Sequence, residues 1–318
     1  MASDNTGALS GKLVVLFGGA GYFGAHVAQE LLARGARLRI ACRHPERAFK
    51  LKPLANLGQI QLVRADIVQT DRLPALVAGA DAVVNLVGAF TGDLDLLHVK
   101  APAALAAAAS AAGVGAFVHV SANGADPASP VDYARTKAEG EAAVLAAFPA
   151  ATILRPSILF SADDNFVNMF AGLIATFPVL PVFGPTARLQ PVFVDDAAEA
   201  LTNALADPAR HGGKTYELVG PEVLTMLELN QRIANAEGRS RIFVELPDAV
   251  SGVIAAIPGT PISRDQWLLL KAGNVSAGLP GLAALGVTTA RPLGLFLDRW
   301  LVRFRKHGRF GDKRELAG

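Results

Sequence analysis

One stretch limits what this chain can fold into: Leu13-Val14-Val15-Leu16-Phe17-Gly18-Gly19-Ala20-Gly21-Tyr22-Phe23-Gly24. An apolar run suits a buried strand, and glycines then recur every third position, at Gly18, Gly21 and Gly24. From Ala25 to about Arg34 the pattern is helical. Strand, tight turn and helix in that order make a cradle for a pyrophosphate. Gly18 permits the turn, Gly21 lets the backbone approach the phosphates, and Gly24 lets the helix lie close to the strand. The helix start, with Tyr22 and Phe23 beside Gly24, offers N–H donors and the positive end of its dipole to an anion. A glycine triplet alone is a weak signal. Its place between an apolar strand and a helix makes it informative.

The same alternation continues. Strands are predicted at 38–42, 60–65, 82–86, 116–120 and 152–154, with helices at 101–112 and 136–148. Recurrent strand–helix units predict an α/β fold, a Rossmann-type doubly wound parallel sheet with a smaller C-terminal region over the strand ends. Right-handed crossovers line up the strand C-termini along one edge. Gly18, Arg43, Asp66, Leu86, Val87 and Ser121 all fall at such ends, which marks that edge as the site. Beyond Pro156 the alternation loosens, and Pro and Gly become frequent between Pro178 and Pro191. The expected organisation is a tail at 1–11, a nucleotide domain at 12–235 with 156–190 covering its pocket, and a C-terminal region at 236–318.

Composition excludes several classes. A net charge of +2 gives no argument for nucleic acid. The single cysteine, Cys42, rules out an internal disulfide framework, and the six histidines show no zinc-ligand spacing, so no metal site is expected. Residues 1–12 lack a signal-peptide core. The uncharged stretch 165–187 is broken by Pro178, Pro181 and Pro185 into a short helix and a loop, not a membrane span. These features fit a cytoplasmic protein and leave attachment to the inner face of a membrane open.

The tip of the second strand bears on the nucleotide. NAD sites usually place an acid there to bond the ribose hydroxyls. Here the tip reads Ala41-Cys42-Arg43-His44-Pro45-Glu46-Arg47. The planar fork of Arg43 suits a 2′-phosphate, and Arg47 can add a second charge, which favours NADP(H). Glu46 on a ribose would instead suit NAD(H), and Arg43 would then be a surface residue. Asp66 either accepts from an adenine amino group or caps the local turn.

Tyr133-Ala134-Arg135-Thr136-Lys137 places Tyr and Lys one helical turn apart on a common face. A lysine ammonium near a phenol lowers its pKa and equips it for proton transfer during hydride transfer. Ser121, at the end of the fifth strand, can hydrogen-bond a substrate oxygen. The alternative is that Tyr133 and Lys137 only bind the cofactor, the lysine on the nicotinamide ribose.

The glycine triplet, Asp66, Asn85-Leu86-Val87-Gly88, Ser121, Tyr133 with Lys137, Leu154-Arg155-Pro156-Ser157 and Gln190-Pro191-Val192-Phe193-Val194-Asp195-Asp196 follow one another in a familiar order. The chain thereby resembles the extended or atypical short-chain dehydrogenase/reductases, a group that includes NAD-dependent epimerases and dehydratases. Within it, residues 12–235 resemble the branch of the NADPH-binding accessory (39 kDa-type) subunit of respiratory complex I and its bacterial relatives. The carrying stretches include 54–60, Val84 to Gly88, His98-Val99-Lys100-Ala101-Pro102, Ala116 to Ser121 and 137–141. The resemblance implies a tightly held NADPH, with Leu86, Val87, Gly88 and Pro156 among its contacts. It also implies a structural or assembly role on complex I or a related quinone-linked membrane assembly, and does not imply turnover. An active oxidoreductase, epimerase or dehydratase using Ser121, Tyr133 and Lys137 is the other reading. Active extended members usually have Asn-Val-x-Gly-Thr where this chain has His98 to Pro102. That removes an asparagine which often orders a relay water or substrate, and it argues against sugar epimerisation. Phe160-Ser161 replaces the common Phe-Gly, a change at the entry to the substrate pocket.

Residues 292–306 read as an amphipathic helix, with Leu293, Phe296, Leu297, Trp300, Leu301 and Phe304 on one side and Arg299, Arg303 and Lys306 on the other. Such a helix either lies on an anionic membrane surface or partner, or packs on its own domain.

Overall fold

The computed structural model describes residues 7–257, 262–306 and 308. The chain forms two compact units, each assembled from three segments. The first comprises Met1–Pro156, Val194–Leu218 and Ala277–Thr289, and the second Ser157–Phe193, Val219–Ser276 and Ala290–Gly318. The division expected at 235 falls inside the middle segment of the second unit.

The first unit is built on β1 (Leu13–Phe17), β2 (Arg37–Cys42), β3 (Ile60–Arg64), β4 (Ala82–Asn85), β5 (Ala116–Val120), β6 (Thr152–Pro156) and a last strand, Thr215–Leu218. They form one parallel sheet in the order last strand, β6, β5, β4, β1, β2, β3. Central strands in such a sheet are covered on both faces and therefore read as continuous apolar runs. Val14, Val15 and Leu16 are accordingly fully buried. On one face Val15, Phe17, Val83, Phe117 and Ile153 pack with Leu105, Ala109, Val144 and Phe148. These come from and around α3 (Ala101–Ala111) and α4 (Asp132–Ala147). α1 (Tyr22–Ala33) packs along the helix Val194–Ala206. The chain proceeds outward in opposite directions from β1 and β4, so the crevice at their C-terminal ends is the topological switch point.

Two local features depart from the periodic pattern. α4 begins at Asp132, four residues before the expected start, because Val131 supplies an extended cap with no polar side chain to announce it. That start places Tyr133 and Lys137 within one helix. Before α3, residues Leu96–Lys100 form a π-helical turn that carries His98 inward. A Cβ at Gly140 of α4 would overlap the His98 carbonyl oxygen, so glycine is needed for the two segments to approach.

The second unit is a set of short elements. Strands Val179–Val182 and Ile242–Glu245 pair in parallel, and so do Leu159–Phe160 and Val192–Phe193. The uncharged stretch gives a helix, Phe166–Thr176, that stops ahead of Pro178. Among the described residues no helix is long and apolar enough to cross a membrane. Ser161 is buried, and its hydroxyl donates to Asp163 (2.6 Å) beside the start of that helix.

The amphipathic helix expected at 292–306 is shorter: an α-helix Gly294–Trp300 followed by a 3-10 turn Leu301–Phe304. Its apolar side is committed inside the second unit. Leu293, Leu297 and Leu301 are buried, and Phe296 stacks on Trp300 and on Phe193, with centroids 4.4 and 4.5 Å apart. Arg303 bonds the Ala162 carbonyl and the Asn168 side chain, and Arg305 donates to the Ala236 carbonyl (2.9 Å). Leu295 is 60% exposed, but Leu293, Leu297 and Leu301 are taken up by the unit's own core, which supports the packed reading.

Candidate active site

The glycine turn between β1 and α1 has the geometry a phosphate needs. Gly18 has φ +84°, and a Cβ there would lie 3.1 Å from the Leu86 carbonyl carbon. The Gly21 N–H closes the turn on the Gly18 carbonyl at 2.9 Å. A Cβ on Gly24 would overlap the Gly18 carbonyl oxygen and sit 2.6 Å from Gly19 Cα. α1 is capped by Gly21 with no side-chain hydrogen bond and no acid in its first turn. Its leading N–H groups have no intrahelical acceptors and are left for an anion. The residues present therefore fit a dinucleotide pyrophosphate. Tyr22 is partly buried, its ring edge-on to His26, while the Phe23 side chain is core, so Phe23 has only its backbone to offer.

Beyond β4, the Leu86 N–H donates to the Phe17 carbonyl (2.9 Å), and the Val87 N–H donates to Asn85 Oδ1 (3.1 Å). Asn85 is fully buried and its amide donates to His119 Nδ1 (3.1 Å). This chain of bonds holds the 86–88 wall against Gly18. Pro156 ends β6, and its carbonyl accepts from the Asn123 N–H (2.9 Å).

At the tips of β2 and β3, Arg43 and Arg47 are exposed, and neither side chain has a partner among the described residues. Arg64, which the sequence reading overlooks, is level with Cys42 in the strand register and equally exposed. Only the strand pairing distinguishes it from any other surface arginine. Glu46 is engaged by His44 (Nδ1 to Oε1, 3.0 Å). Asp66 accepts from the Val68 N–H (3.3 Å), which makes it a turn cap in its own right.

Ser121, Tyr133 and Lys137 sit around the end of β5 and the first turns of α4. Lys137 is buried, and burial pushes its ammonium down to about 8, opposed by Glu141. Its Nζ turns to the sheet and donates to the Val120 carbonyl (3.3 Å), close to Gly88. The expected lowering of the tyrosine pKa is not what the structure shows. Burial pushes the Tyr133 phenol up to about 12, and its hydroxyl makes no hydrogen bond among the described residues. One turn of helix puts the two residues on a common face, but the lysine is drawn to the carbonyl. Ser121 is buried, its hydroxyl without a partner among the described residues.

His98 occupies the place of the missing asparagine. The Ala89 N–H donates to His98 Nε2 (3.2 Å), so Nδ1 carries the proton and donates to Thr136 Oγ1 (2.9 Å), which donates to the Asp132 carbonyl (2.7 Å). Burial, then Lys137, hold His98 down to about 4, so it is a neutral strut. His119 is likewise held down to about 3, first by burial. Its Nε2–H is unpartnered among the described residues. Phe90 stacks on Tyr133, centroids 4.4 Å apart at 16°. Neither His119 nor Phe90 stands out in the sequence, since both read as ordinary strand and loop residues.

Residues 18–169 match a family model described as NAD(P)H-binding. NADH dehydrogenase (ubiquinone) 1 alpha subcomplex subunit 9, mitochondrial, of Mus musculus is 31% identical over 88% of this chain and 77% of that protein. The chain belongs to this subunit's family, within the extended short-chain dehydrogenase/reductases. The Arabidopsis thaliana member is 33% identical over 80% of this chain, which spans 66% of that relative. A ceramide reductase of Caulobacter vibrioides is also similar, 29% identical over 80% of this chain and 77% of its own length. The fold is that of the crystal structure of a Citrobacter sp. triphenylmethane reductase complexed with NADP(H), with TM-score 0.74, 21% identity, and coverage of 90% of this chain and 99% of that one. The family placement and the switch-point cradle agree that the chain carries an NAD(P)H-binding domain.

Proposed function

We propose that this chain holds NADPH as a fixed part of an NADH dehydrogenase (ubiquinone) assembly, respiratory complex I, and acts there as a structural accessory. One observation carries this reading. A phosphate cradle lies in the same unit as a tyrosine hydrogen-bonded to neither Ser121 nor Lys137, the lysine donating instead to the Val120 carbonyl (3.3 Å). A general acid works best with its pKa near the operating pH, which this phenol is far from. The family relationship supports the partner, and the exposed guanidiniums of Arg43, Arg47 and Arg64, the last within electrostatic reach of Glu46, support a 2′-phosphate over an NAD ribose.

In this reading the first turn of α1 (Tyr22 to Gly24) bonds the pyrophosphate, and Gly18 and Gly21 keep the backbone close to it. Leu86, Val87, Gly88 and Pro156 wall the nucleotide, and Lys137 bonds the nicotinamide ribose. The bound nicotinamide could supply a hydride, which in this reading is not transferred. Asp66 stays a turn residue unless an adenine amino group reaches it.

The second reading is a reductase, as in the Caulobacter relative. The observation favouring it is the buried, unpartnered Ser121 hydroxyl, a donor suited to a substrate oxygen. Here Tyr133 would deliver the proton and Lys137 would set its ionisation once substrate had rearranged the site. Releasing and identifying the bound nucleotide separates the readings, followed by incubating the purified protein with aldehydes, ketones and quinones. NADPH at one per chain with an unchanging reduced-nicotinamide band is the expected result. Oxidation of added NADPH that disappears in Tyr133→Phe supports the reductase, and a chain purified without nucleotide overturns the accessory reading.

A further inference from the structure

β3 is the last strand of the parallel sheet, and among the described residues it pairs with β2 alone. The direction of its backbone bonds alternates. The Leu38 N–H donates to the Gln59 carbonyl (2.7 Å), and the Ala65 N–H donates to the Cys42 carbonyl (3.0 Å). Odd-numbered residues therefore face β2. Ile60, Leu62 and Arg64 turn their N–H and C=O groups outward, with no backbone partner among the described residues. Such an edge is a template for another strand.

The approach to the edge is rigid. The Gln59 N–H closes a turn on the Asn56 carbonyl (3.0 Å), with Gly58 at φ +77° in its third position. The Gln59 side chain is buried. It accepts from the Asn56 N–H (2.9 Å) and donates to the Leu32 and Ala36 carbonyls (3.0 and 2.9 Å). On that fixed turn Leu57 is wholly exposed. An apolar side chain on a preorganised turn gives up little freedom on contact, which suits an anchor.

Charge selects the occupant. The 3-10 segment Pro45–Leu54 packs against β2 and β3. Between residues 43 and 64 the chain carries Arg43, Arg47, Lys50, Lys52 and Arg64 against one acid, Glu46, which His44 already engages. Lys50 and Lys52 are exposed, and Lys52 lies over the Phe49 ring at 4.4 Å, which holds its charge at the surface. Two copies meeting edge to edge would bring these like charges together, so a second copy is disfavoured. A lipid surface offers no ladder of donors and acceptors to match the edge.

We propose that the outer edge of β3 takes an extended acidic segment of a partner protein as an eighth strand of the sheet, with Lys50 and Lys52 attracting it and Leu57 meeting one of its apolar side chains. The glycine turn and the start of α1 take no part, so the proposal holds whether NADPH is retained or oxidised.

The probe is a fluorescein-labelled peptide of alternating glutamate and valine, about seven residues long, enough to span β3 at about 3.3 Å per residue. Its anisotropy is followed with the NADPH-loaded full chain. A peptide of alternating lysine and valine reverses the charge, and a version N-methylated at every amide keeps the charge but loses the edge bonds. The acidic peptide should bind, with both counterparts at least about 10-fold weaker, the scale of one or two hydrogen bonds. Lys50→Glu with Lys52→Glu should weaken it about 10-fold, more at low salt. Leu57→Ala should weaken it about threefold, with an unchanged melting temperature for this exposed position. Amide exchange read residue by residue should slow at Ile60, Leu62 and Arg64 when the peptide is added, while Gln61 and Val63 are protected from the outset. Equal affinity for the acidic and basic peptides, affinity unmoved by N-methylation, no binding at about 1 mM, or unchanged exchange at those amides overturns the proposal. Concentration-dependent dimers that Leu62→Pro abolishes, by removing one outward N–H, would assign the edge to a second copy and overturn it as well. Nucleotide retention, measured on the same samples, reports on the accessory role separately.

Discussion

Gly24→Ala puts the cradle to a direct test. The added methyl meets backbone on two sides, the Gly18 carbonyl oxygen and, at 2.6 Å, Gly19 Cα. Carbon pairs rest at about 3.5–4.0 Å, so the helix start must retreat from the turn by about 1 Å. No rotamer relieves this, since both neighbours are main chain. Overpacking of this kind costs about 1–3 kcal/mol of stability. A hydrogen bond to a charged group contributes about 1.5–3 kcal/mol, so misplacing one N–H of the α1 start weakens NADPH about 10- to 100-fold. Dissociation constants from nicotinamide fluorescence, with thermal melts with and without nucleotide, measure both terms. Gly172→Ala is the control. It lies inside the helix Phe166–Thr176, with open space where its Cβ would go, and should raise stability by about 0.4–1 kcal/mol without touching affinity. A Gly24→Ala protein that binds NADPH within about threefold of the parent, at unchanged melting temperature, would refute the cradle argument.

Arg43→Ala should weaken NADPH at least about 10-fold and leave NADH within about twofold, because a guanidinium–phosphate fork has no counterpart in NADH. Adding Arg64→Ala should deepen the loss, and equal losses for both nucleotides would exclude a 2′-phosphate contact. Lys137 titrates near 8 in the folded chain, down from 10.5. Between those values the unfolded state binds the extra proton, so stability should rise with pH from about 8 to 10.5, by on the order of 3 kcal/mol. Lys137→Met should flatten that slope and raise the melting temperature at pH 7. Leu297→Ala, at a fully packed position of the terminal helix, should cost about 2–5 kcal/mol by denaturant titration. A loss below about 0.5 kcal/mol would show that the helix is not held within its unit.

The glycine turn and the sheet are legible in the sequence because both rest on local chemistry. A strand covered on both faces has to be apolar throughout, and a positive φ favours glycine. The strand ends therefore fall where the pattern puts them, and Gly18, Arg43, Leu86 and Ser121 stand at the C-terminal edge as expected. The direction of the Lys137 side chain is not legible. Spacing defines a helix face, but the Val120 carbonyl, brought alongside by the sheet, decides where the ammonium goes. The π-turn around His98 is hidden for the same reason, since the room for the His98 carbonyl is left by a glycine 42 residues further on, Gly140. The terminal helix shows its amphipathic pattern plainly, yet pattern alone cannot tell a lipid surface from Phe193 and Phe160. Nor does sequence order reveal that each unit is woven from three separate segments.

The measurement closest to the central claim is native isolation from the source cells. The chain carries an affinity tag, is drawn from gently solubilised membranes, and its nucleotide and companions are identified in the same eluate. The account predicts NADPH at one per chain, co-eluting with NADH dehydrogenase activity toward a quinone, and unchanged in amount after that activity has turned over. A chain that elutes alone, with a nucleotide that a small carbonyl or quinone substrate oxidises, would contradict it.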